Sequence, residues 1–160
     1  MKIIDNFLHE QFFEYLKGRL FHPHFAYYHQ NQKVDYGDDG EQFTHLFFAD
    51  GIIKSTEIKL LEPIFVLLKT EVSKLIRVKL NLQIIENEIK PSMFHTDNTI
   101  ENATTAIFYL NTNNGKTLFK NGKEVKSVAN RIVIFPSNLE HAGTTHTDTK
   151  YRMVLNINYK

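Results

Sequence analysis

The chain has no cysteine among its 160 residues. This absence excludes disulfides, cysteine-ligated zinc, iron–sulfur clusters and thiol nucleophiles. Any bound metal ion must therefore be held by nitrogen and oxygen ligands, and eight histidines are available to supply the nitrogens.

An excess of one charge and a long apolar run are also missing. Lys plus Arg number 19 and Asp plus Glu number 18, whereas proteins attracted to nucleic acid or anionic membranes are usually more basic. The longest strongly apolar run, Ile64–Leu68, is far too short to span a membrane, and the opening MKIIDNFLHE contains no signal-peptide core. We therefore expect a cytoplasmic protein with one domain over residues 1–160 that binds neither nucleic acid nor membrane.

Helical spacing comes first in the chain, and strand signals follow. The apolar residues of 5–20 predict an amphipathic helix, and those of 56–72 predict a helical region in which Pro63 either starts a second piece or kinks the first. Turn sequences such as Asn121-Gly122 separate the later segments. The predicted strands are 25–30, 43–48, 74–85, 93–97, 103–110, 117–119, 131–135, 141–146 and 151–159.

This order of helices and then many short strands predicts a mainly β, α+β fold with an antiparallel sheet or barrel, because βαβ units would alternate. The acidic, glycine-containing segment between the first two strands, residues 31–42, is either a solvated hairpin loop or a flexible lid.

Two of the predicted strands have one apolar and one polar face, because alternate side chains on a strand point to opposite sides. The polar face either meets solvent or lines a wet cavity inside a barrel, and its mixture of amides with few charges favours the cavity. Its members are Arg77, Lys79, Asn81, Gln83, Arg152, Asn156 and Asn158.

A candidate metal site begins with His95-Thr96-Asp97, since residues i and i+2 of a strand point the same way. A second histidine would complete a two-histidine, one-carboxylate triad, which suits non-haem Fe(II). With 18 acidic residues and eight histidines in 160 positions, about one histidine followed two residues later by an acid is expected by chance, and His146-Thr147-Asp148 is a second copy of the pattern. We prefer the first copy because enough chain follows it to supply the third ligand. Of the two candidates for that ligand, His141 and His146, we prefer His141, which opens a strand after a turn.

Several short motifs appear in a familiar order. Together they resemble the 2-oxoglutarate/Fe(II)-dependent oxygenase superfamily, nearest its prolyl 4-hydroxylase-like branch, and are similar to compact members encoded by phages. That resemblance implies a double-stranded β-helix, or jelly-roll barrel, backed by N-terminal helices. The motifs are His95-Thr96-Asp97, Tyr109-Leu110-Asn111, Gly115-Lys116-Thr117, Phe135-Pro136, His141-Ala142-Gly143 and Arg152.

The resemblance also implies roles for individual residues. His95, Asp97 and His141 would bind Fe(II), while Arg152 and Tyr109 would hold the distal carboxylate of the cosubstrate 2-oxoglutarate. An arginine fork suits a buried carboxylate because it offers two parallel charge-assisted hydrogen bonds. O2 is the second cosubstrate, and ascorbate is an optional auxiliary reductant. Asn81 is expected to point into the barrel near the cosubstrate.

The function implied is a hydroxylase that releases succinate and CO2 and acts on a peptide or protein side chain, as a monomer or a homodimer. A free amino acid or small metabolite is the alternative substrate. A non-catalytic jelly-roll binding module and a cupin-like metalloenzyme that does not use 2-oxoglutarate are the alternative classes. The nucleic-acid demethylase branch has a second arginine six residues after the first, where this chain has Asn158, and this difference speaks against nucleobase repair.

Overall fold

The computed structural model describes residues 1–31 and 41–160. The segment 31–42, interpreted from the sequence as a hairpin loop or a lid, falls mainly on residues 32–40, which lie outside the described residues. Helix α1 is Glu10–Leu20 and helix α2 is Glu62–Leu67. The strands, numbered β1 to β11 in chain order, are Lys2–Ile4, Tyr28–Gln30, Gln42–Ala49, Ile52–Ile53, Leu75–Ile84, Thr104–Tyr109, Lys116–Phe119, Glu124–Lys126, Arg131–Pro136, His141–Gly143 and Tyr151–Tyr159.

Two antiparallel sheets form the barrel. The larger has the order β1-β9-β6-β11-β5-β3-β2, with β4 paired to β3, and the smaller has the order β10-β7-β8. Isolated bridges join Pro91 to Thr144 and His95 to His141, so the chain that follows β5 runs beside the smaller sheet. Residues of both sheets line one cavity. The architecture is a double-stranded β-helix, and the predicted fold class is confirmed.

Side-chain alternation gives the larger sheet one apolar and one polar face. Val78 and Leu80 of β5 and Leu155 and Ile157 of β11 are fully buried in the main core, which also contains the apolar side of α1. The intervening residues of the same strands line the cavity. The polar faces predicted from the sequence therefore face the inside of the barrel, as the amide-rich composition indicated.

Helix α1 is shorter than the prediction of 5–20 because a residue of the turn before β9 holds the chain that precedes the helix. The amide of Asn130 accepts a hydrogen bond from the backbone N–H of Leu8 at 2.9 Å and donates one to the carbonyl of Leu8 at 2.8 Å. This two-point contact fixes Leu8 in a non-helical conformation, and the helix begins at Glu10.

The second helical region is divided into short pieces. A 3₁₀ segment, Thr56–Leu61, is capped by Ser55, whose hydroxyl accepts from the backbone N–H of Glu57 at 3.3 Å. Pro63 stands in the first turn of α2, where its missing N–H costs nothing. Of the two readings of this proline, the start of a second piece is the one observed. None of the described helices has both the length and the apolar character needed to cross a membrane.

The strand predictions differ from the structure in several places. Residues 93–97 form only the single bridge at His95 instead of a regular strand. Strands β1, β4 and β8, which are not among the predicted strands, are only two or three residues long and pair with β9, β3 and β7. Each of these pairings depends on a neighbour far along the chain or on a tight turn, and the alternation of apolar and polar residues over so few positions is a weak signal.

Candidate metal centre and adjoining cavity

Three predicted ligands lie together at one end of the cavity. His95, Asp97 and His141 each offer one ligand atom, and these atoms lie within 4.8 Å of one another. Reciprocal backbone hydrogen bonds of 3.0 and 2.9 Å join His95 to His141 and bring the two imidazoles side by side. The backbone N–H of Asp97 donates to the carbonyl of Ser137 at 3.2 Å, which fixes the third ligand in the same place.

The hydrogen bonds of the two imidazoles define which nitrogen is free. Nδ1 of His95 lies 3.1 Å from the carbonyl oxygen of Met93, and Nδ1 of His141 lies 3.0 Å from that of Leu139. A carbonyl only accepts, so each Nδ1 carries the proton and donates it. The lone pair of each Nε2 is then available for a metal ion, with the ring orientation fixed by the backbone.

The Asp97 carboxylate is buried and held by three donors. Its side chain is 1% exposed. Arg77 donates to Oδ1 at 2.8 Å, Thr105 donates to Oδ2 at 2.8 Å, and the amide of Asn156 donates to Oδ1 at 3.2 Å. Burial alone would raise the pKa of Asp97, but the nearby His141, Arg77 and Thr105 outweigh it and hold that pKa below its ordinary value. The carboxylate is therefore ionised at neutral pH.

The three ligand side chains suit a divalent transition metal. Burial lowers the pKa of His141, although Asp97 partly opposes the shift, so the imidazole is neutral at neutral pH and can ligate. Two neutral imidazoles and one carboxylate form the nitrogen–oxygen set that suits non-haem iron and leaves coordination positions free. Thr105, Arg77 and Asn156 are outer partners that orient the carboxylate.

The second H-x-D copy has a different place. The side-chain amide of Asn114 accepts from the backbone N–H of Thr147 at 3.0 Å, and Asp148 accepts from the backbone N–H of Asn114 at 3.1 Å. Neither His146 nor Asp148 belongs to the ligand cluster found among the described residues. The second copy therefore links the loop that precedes β7 to the loop that precedes β11.

A cavity of about 720 Å³ adjoins the three ligands, a size usual for small-molecule sites. The polar faces of β5 and β11 supply much of its wall, and within the described ranges Asp97 is the only acidic residue that lines it. The predicted cavity residues that line it are Arg77, Lys79, Asn81, Gln83, Arg152 and Asn156.

Arg152 is a buried cation that has no anionic partner among the described residues. Its side chain is 3% exposed. Its guanidinium donates to the hydroxyl of Ser127 at 3.1 Å, to the amide oxygen of Gln83 at 3.2 Å and to the carbonyl of Lys116 at 3.4 Å. All three acceptors are neutral, and burial lowers the pKa of Arg152. A buried charge left unpaired is costly, so this end of the cavity favours a ligand with a negative group.

Gly115 leaves the space that Arg152 occupies. A Cβ added at Gly115 would lie 2.8 Å from Cδ of Arg152 and 2.8 Å from Oδ1 of Asn113. The backbone φ of Gly115 is outside the left-handed region, so the constraint is steric. The glycine of the Gly115-Lys116-Thr117 motif is thus required by the close approach of the arginine.

Substitution of Gly115 by alanine is expected to displace the Arg152 guanidinium. For 2-oxoglutarate, the cosubstrate that the sequence resemblance implies, we expect about 10-fold weaker binding, because one charge-assisted hydrogen bond contributes about 1.5–3 kcal/mol. The matched control is Gly18→Ala in α1, where an added Cβ meets nothing within 4 Å. Titration calorimetry of both variants checks the result, and equal affinities would show that Gly115 has no steric role.

Two further predicted residues lie near this end of the cavity. The hydroxyl of Tyr109 donates to Oγ1 of Thr117 at 2.7 Å, and it is Thr117, not Tyr109, that lines the cavity. A direct bond from Tyr109 to a carboxylate stays a prediction, and the Thr117 hydroxyl, whose own proton is free, is the donor nearer the cavity. Asn81 lines the cavity, and its Oδ1 is buried without a hydrogen-bond partner in the described ranges.

Sequence reasoning missed the outer partners of the charged groups. Thr105 and Ser127 gave no signal, because isolated hydroxyl residues are common and their contacts depend on distant strands. Arg77 and Gln83 were predicted to face the cavity by strand alternation, but their contacts with Asp97 and Arg152 were not. The alternation could have suggested the second pair, since Gln83 and Arg152 are direct cross-strand partners.

Comparisons with known proteins give structural matches alone. No protein-family model matches the sequence, and no curated protein matches it significantly. A prolyl-4-hydroxylase from Pseudomonas putida has a TM-score of 0.67 and 15% identity, covering 99% of this chain and 91% of that chain. The α-ketoglutarate-dependent epimerase SnoN from nogalamycin biosynthesis has a TM-score of 0.68 and 16% identity, covering 99% and 76%.

A third match is a prolyl hydroxylase from Trichoplax adhaerens in complex with a peptide fragment of a hypoxia inducible factor oxygen degradation domain. It has a TM-score of 0.63 and 15% identity, covering 99% of this chain and 82% of that chain. The chain therefore has the fold of the 2-oxoglutarate/Fe(II) oxygenases, including their prolyl hydroxylase branch, as the sequence motifs predicted. At these identities the likeness establishes the fold.

Proposed function

We propose that the protein is an Fe(II)- and 2-oxoglutarate-dependent oxygenase. One observation supports the proposal above others: a His-Asp-His cluster shares one cavity with a buried arginine whose hydrogen-bond partners among the described residues are all neutral. A metal alone would not need Arg152, and a simple anion-binding module would not need three converging ligands. A 2-oxo acid with a distal carboxylate needs both.

His95, Asp97 and His141 are the residues that would hold Fe(II). Bound Fe(II) with 2-oxoglutarate and O2 supplies oxidative decarboxylation to succinate and CO2, coupled to oxidation of a substrate C–H bond. The protein orients the ligands through the backbone of Met93 and Leu139. Ascorbate remains an optional reductant in this proposal.

Arg152 would bind the distal carboxylate of 2-oxoglutarate. Its three acceptors, among them Ser127 and Gln83, fix the guanidinium plane before the ligand arrives, so little side-chain entropy is lost on binding. Thr117, itself held by Tyr109, is placed to add a neutral donor. Asn81 lines the same cavity, and its amide Oδ1 has no hydrogen-bond partner among the described residues. These side chains replace the water that the carboxylate loses on entering the barrel.

For the substrate we propose a peptide or protein side chain. The prolyl hydroxylase from Trichoplax adhaerens, which has the same fold, is in complex with a peptide fragment. The epimerase SnoN also shares the fold, so a small molecule is the alternative and the fold does not choose between them.

Anaerobic addition of Fe(II) and 2-oxoglutarate tests the proposal. A 2-oxo acid chelated to Fe(II) is expected to give a weak visible absorption band, and admission of O2 is expected to convert 2-oxoglutarate to succinate. Omission of Fe(II) provides the control. Absence of the band in correctly folded protein would contradict the assignment of both the metal and the cosubstrate.

A further inference from the structure

Four cations line the described part of the cavity, and three of them have a partner or an assigned ligand. Arg77 contacts Asp97, Lys54 lies 4.0 Å from Asp50, and Arg152 is assigned to the cosubstrate. The fourth, Lys79, has neither among the described residues. Lys79 points into the cavity from β5 and is half-buried. It makes no hydrogen bond or ion pair with any residue of the described ranges. Asp97, the one acidic residue of the described cavity wall, is already engaged by Arg77 at 2.8 Å.

The position of Lys79 differs from that of Arg152. In the pairing of β5 with β11, Gln83 lies opposite Arg152, whereas Lys79 lies opposite Asn156. Gln83 and Lys79 are four residues apart on β5, which corresponds to about 13 Å along a strand. Asn156 contacts Asp97, so Lys79 lies beside the candidate metal ligands. Arg77, two residues before Lys79 on β5, lies still farther from Arg152 along the strand direction.

Positive charge remains in excess in the cavity after the cosubstrate is bound. One carboxylate of 2-oxoglutarate is assigned to Arg152 and the other to the metal, and Asp97 is shared between the metal and Arg77. Lys79 is then a half-buried cation beside a cationic metal and a guanidinium. Such a group favours an anion that neither the described residues nor the cosubstrate supply.

We infer that the substrate carries a carboxylate, which Lys79 binds beside the metal with Nη1 of Arg77 as a second donor. This inference rests on the proposed function and names the chemical class of its substrate. Nη1 of Arg77 has no hydrogen-bond partner among the described residues, because Nε donates to Asn158 and Nη2 to Asp97.

A carboxylate fits this position better than a phosphate. A phosphate group carries about −1.5 to −2 charges at neutral pH, which is more than one ammonium and one remaining guanidinium N–H can balance. A single ammonium with one further N–H suits a monoanion. Burial, with a smaller contribution from Arg77, lowers the pKa of Lys79 to about 8 against the opposing effect of Asp97, as expected for an ammonium that lacks its counter-charge.

The test uses Zn(II)-loaded protein, because zinc has no redox chemistry and the complex does not turn over. 2-Oxoglutarate is titrated first and then kept saturating. Calorimetry next compares acetyl-glutamate and acetyl-aspartate methylamides with their glutamine and asparagine counterparts, and acetate and propionate with acetamide and propionamide. The first set represents an acidic side chain in a peptide, and the second represents a free acid.

We expect at least one acid to bind in preference to its amide, and Lys79→Met to weaken that binding about 10-fold or more, the value of one charge-assisted hydrogen bond. Lys79→Arg is expected to restore most of the affinity. The matched control is Lys123→Met, an exposed lysine outside the cavity, which is expected to bind both ligands as the unmodified chain does.

Each other outcome overturns the inference. No preference for acids over amides, including no binding at the highest soluble concentration, means that the cavity lacks a carboxylate position. Equal affinities of Lys79→Met and Lys123→Met mean that Lys79 does not bind the acid. A loss of 2-oxoglutarate affinity in Lys79→Met means that Lys79 serves the cosubstrate. Failure of 2-oxoglutarate to bind in the first titration contradicts the proposed function itself, so the two failures are distinguishable.

Discussion

Replacement of His95 by alanine is expected to abolish succinate formation and to remove stable metal binding. Even a residue that only orients a ligand costs about 10–100-fold in metal affinity when it is lost, and His95 is one of three candidate ligands. We therefore expect a loss of ~100-fold or more. Metal content after dialysis and succinate release at saturating 2-oxoglutarate are the two measurements.

The matched control is His9→Ala, because His9 is exposed and makes no side-chain cap at the start of α1. It is expected to keep full metal content and turnover. Succinate formation that survives in His95→Ala would refute the ligand assignment. Circular dichroism separates loss of metal from loss of fold.

Replacement of Arg152 by methionine is expected to weaken 2-oxoglutarate binding by about 100-fold or more, because two charge-assisted hydrogen bonds of about 1.5–3 kcal/mol each are lost. The unfolding midpoint of the ligand-free protein is not expected to fall in proportion, since an apolar replacement removes a buried charge that lacks a counter-ion. Arg152→Lys keeps the positive charge but loses the two parallel N–H donors. Its 2-oxoglutarate affinity is expected to lie between that of the unmodified chain and that of Arg152→Met.

Calorimetry with Zn(II)-loaded protein measures the affinity of these variants, and thermal unfolding measures their stability with and without 2-oxoglutarate. The cosubstrate is expected to raise the midpoint of the unmodified chain, since a ligand that binds only the folded state stabilises it. It is not expected to raise that of Arg152→Met. An unchanged 2-oxoglutarate affinity in Arg152→Met would count against the assigned role.

Much of the site was predictable because strand alternation is a strong local rule. It placed Arg152, Asn156, Lys79 and Asn81 on cavity faces without knowledge of the fold. It also grouped His95 with Asp97, although the structure forms only one bridge there instead of a strand. The preference for His141 as third ligand and the cosubstrate roles of Arg152 and Tyr109 depended on several weak motifs that occur in one order. Those roles were assigned through the resemblance to a known family.

What could not be predicted depends on pairing across the sheets. Asn158 was predicted as a member of the polar face and as the place of a missing second arginine, but not as a partner of Arg77, which lies opposite it and donates to it at 3.2 Å. An arginine from the neighbouring strand therefore reaches Asp97. The register of two strands 81 residues apart decides this contact, and no local pattern encodes that register.

The backbone bridge between His95 and His141 has a consequence for how metal is acquired. Its two hydrogen bonds are formed by peptide groups, and no metal is needed to close them. The conformational entropy lost in ordering the ligands is thus lost when the chain folds, before any metal binds. Small domains that fold only around their ion lose this entropy when the metal binds. The chain is accordingly expected to fold before it is loaded, and chelation is expected to yield an inactive but intact protein that regains activity when Fe(II) is returned.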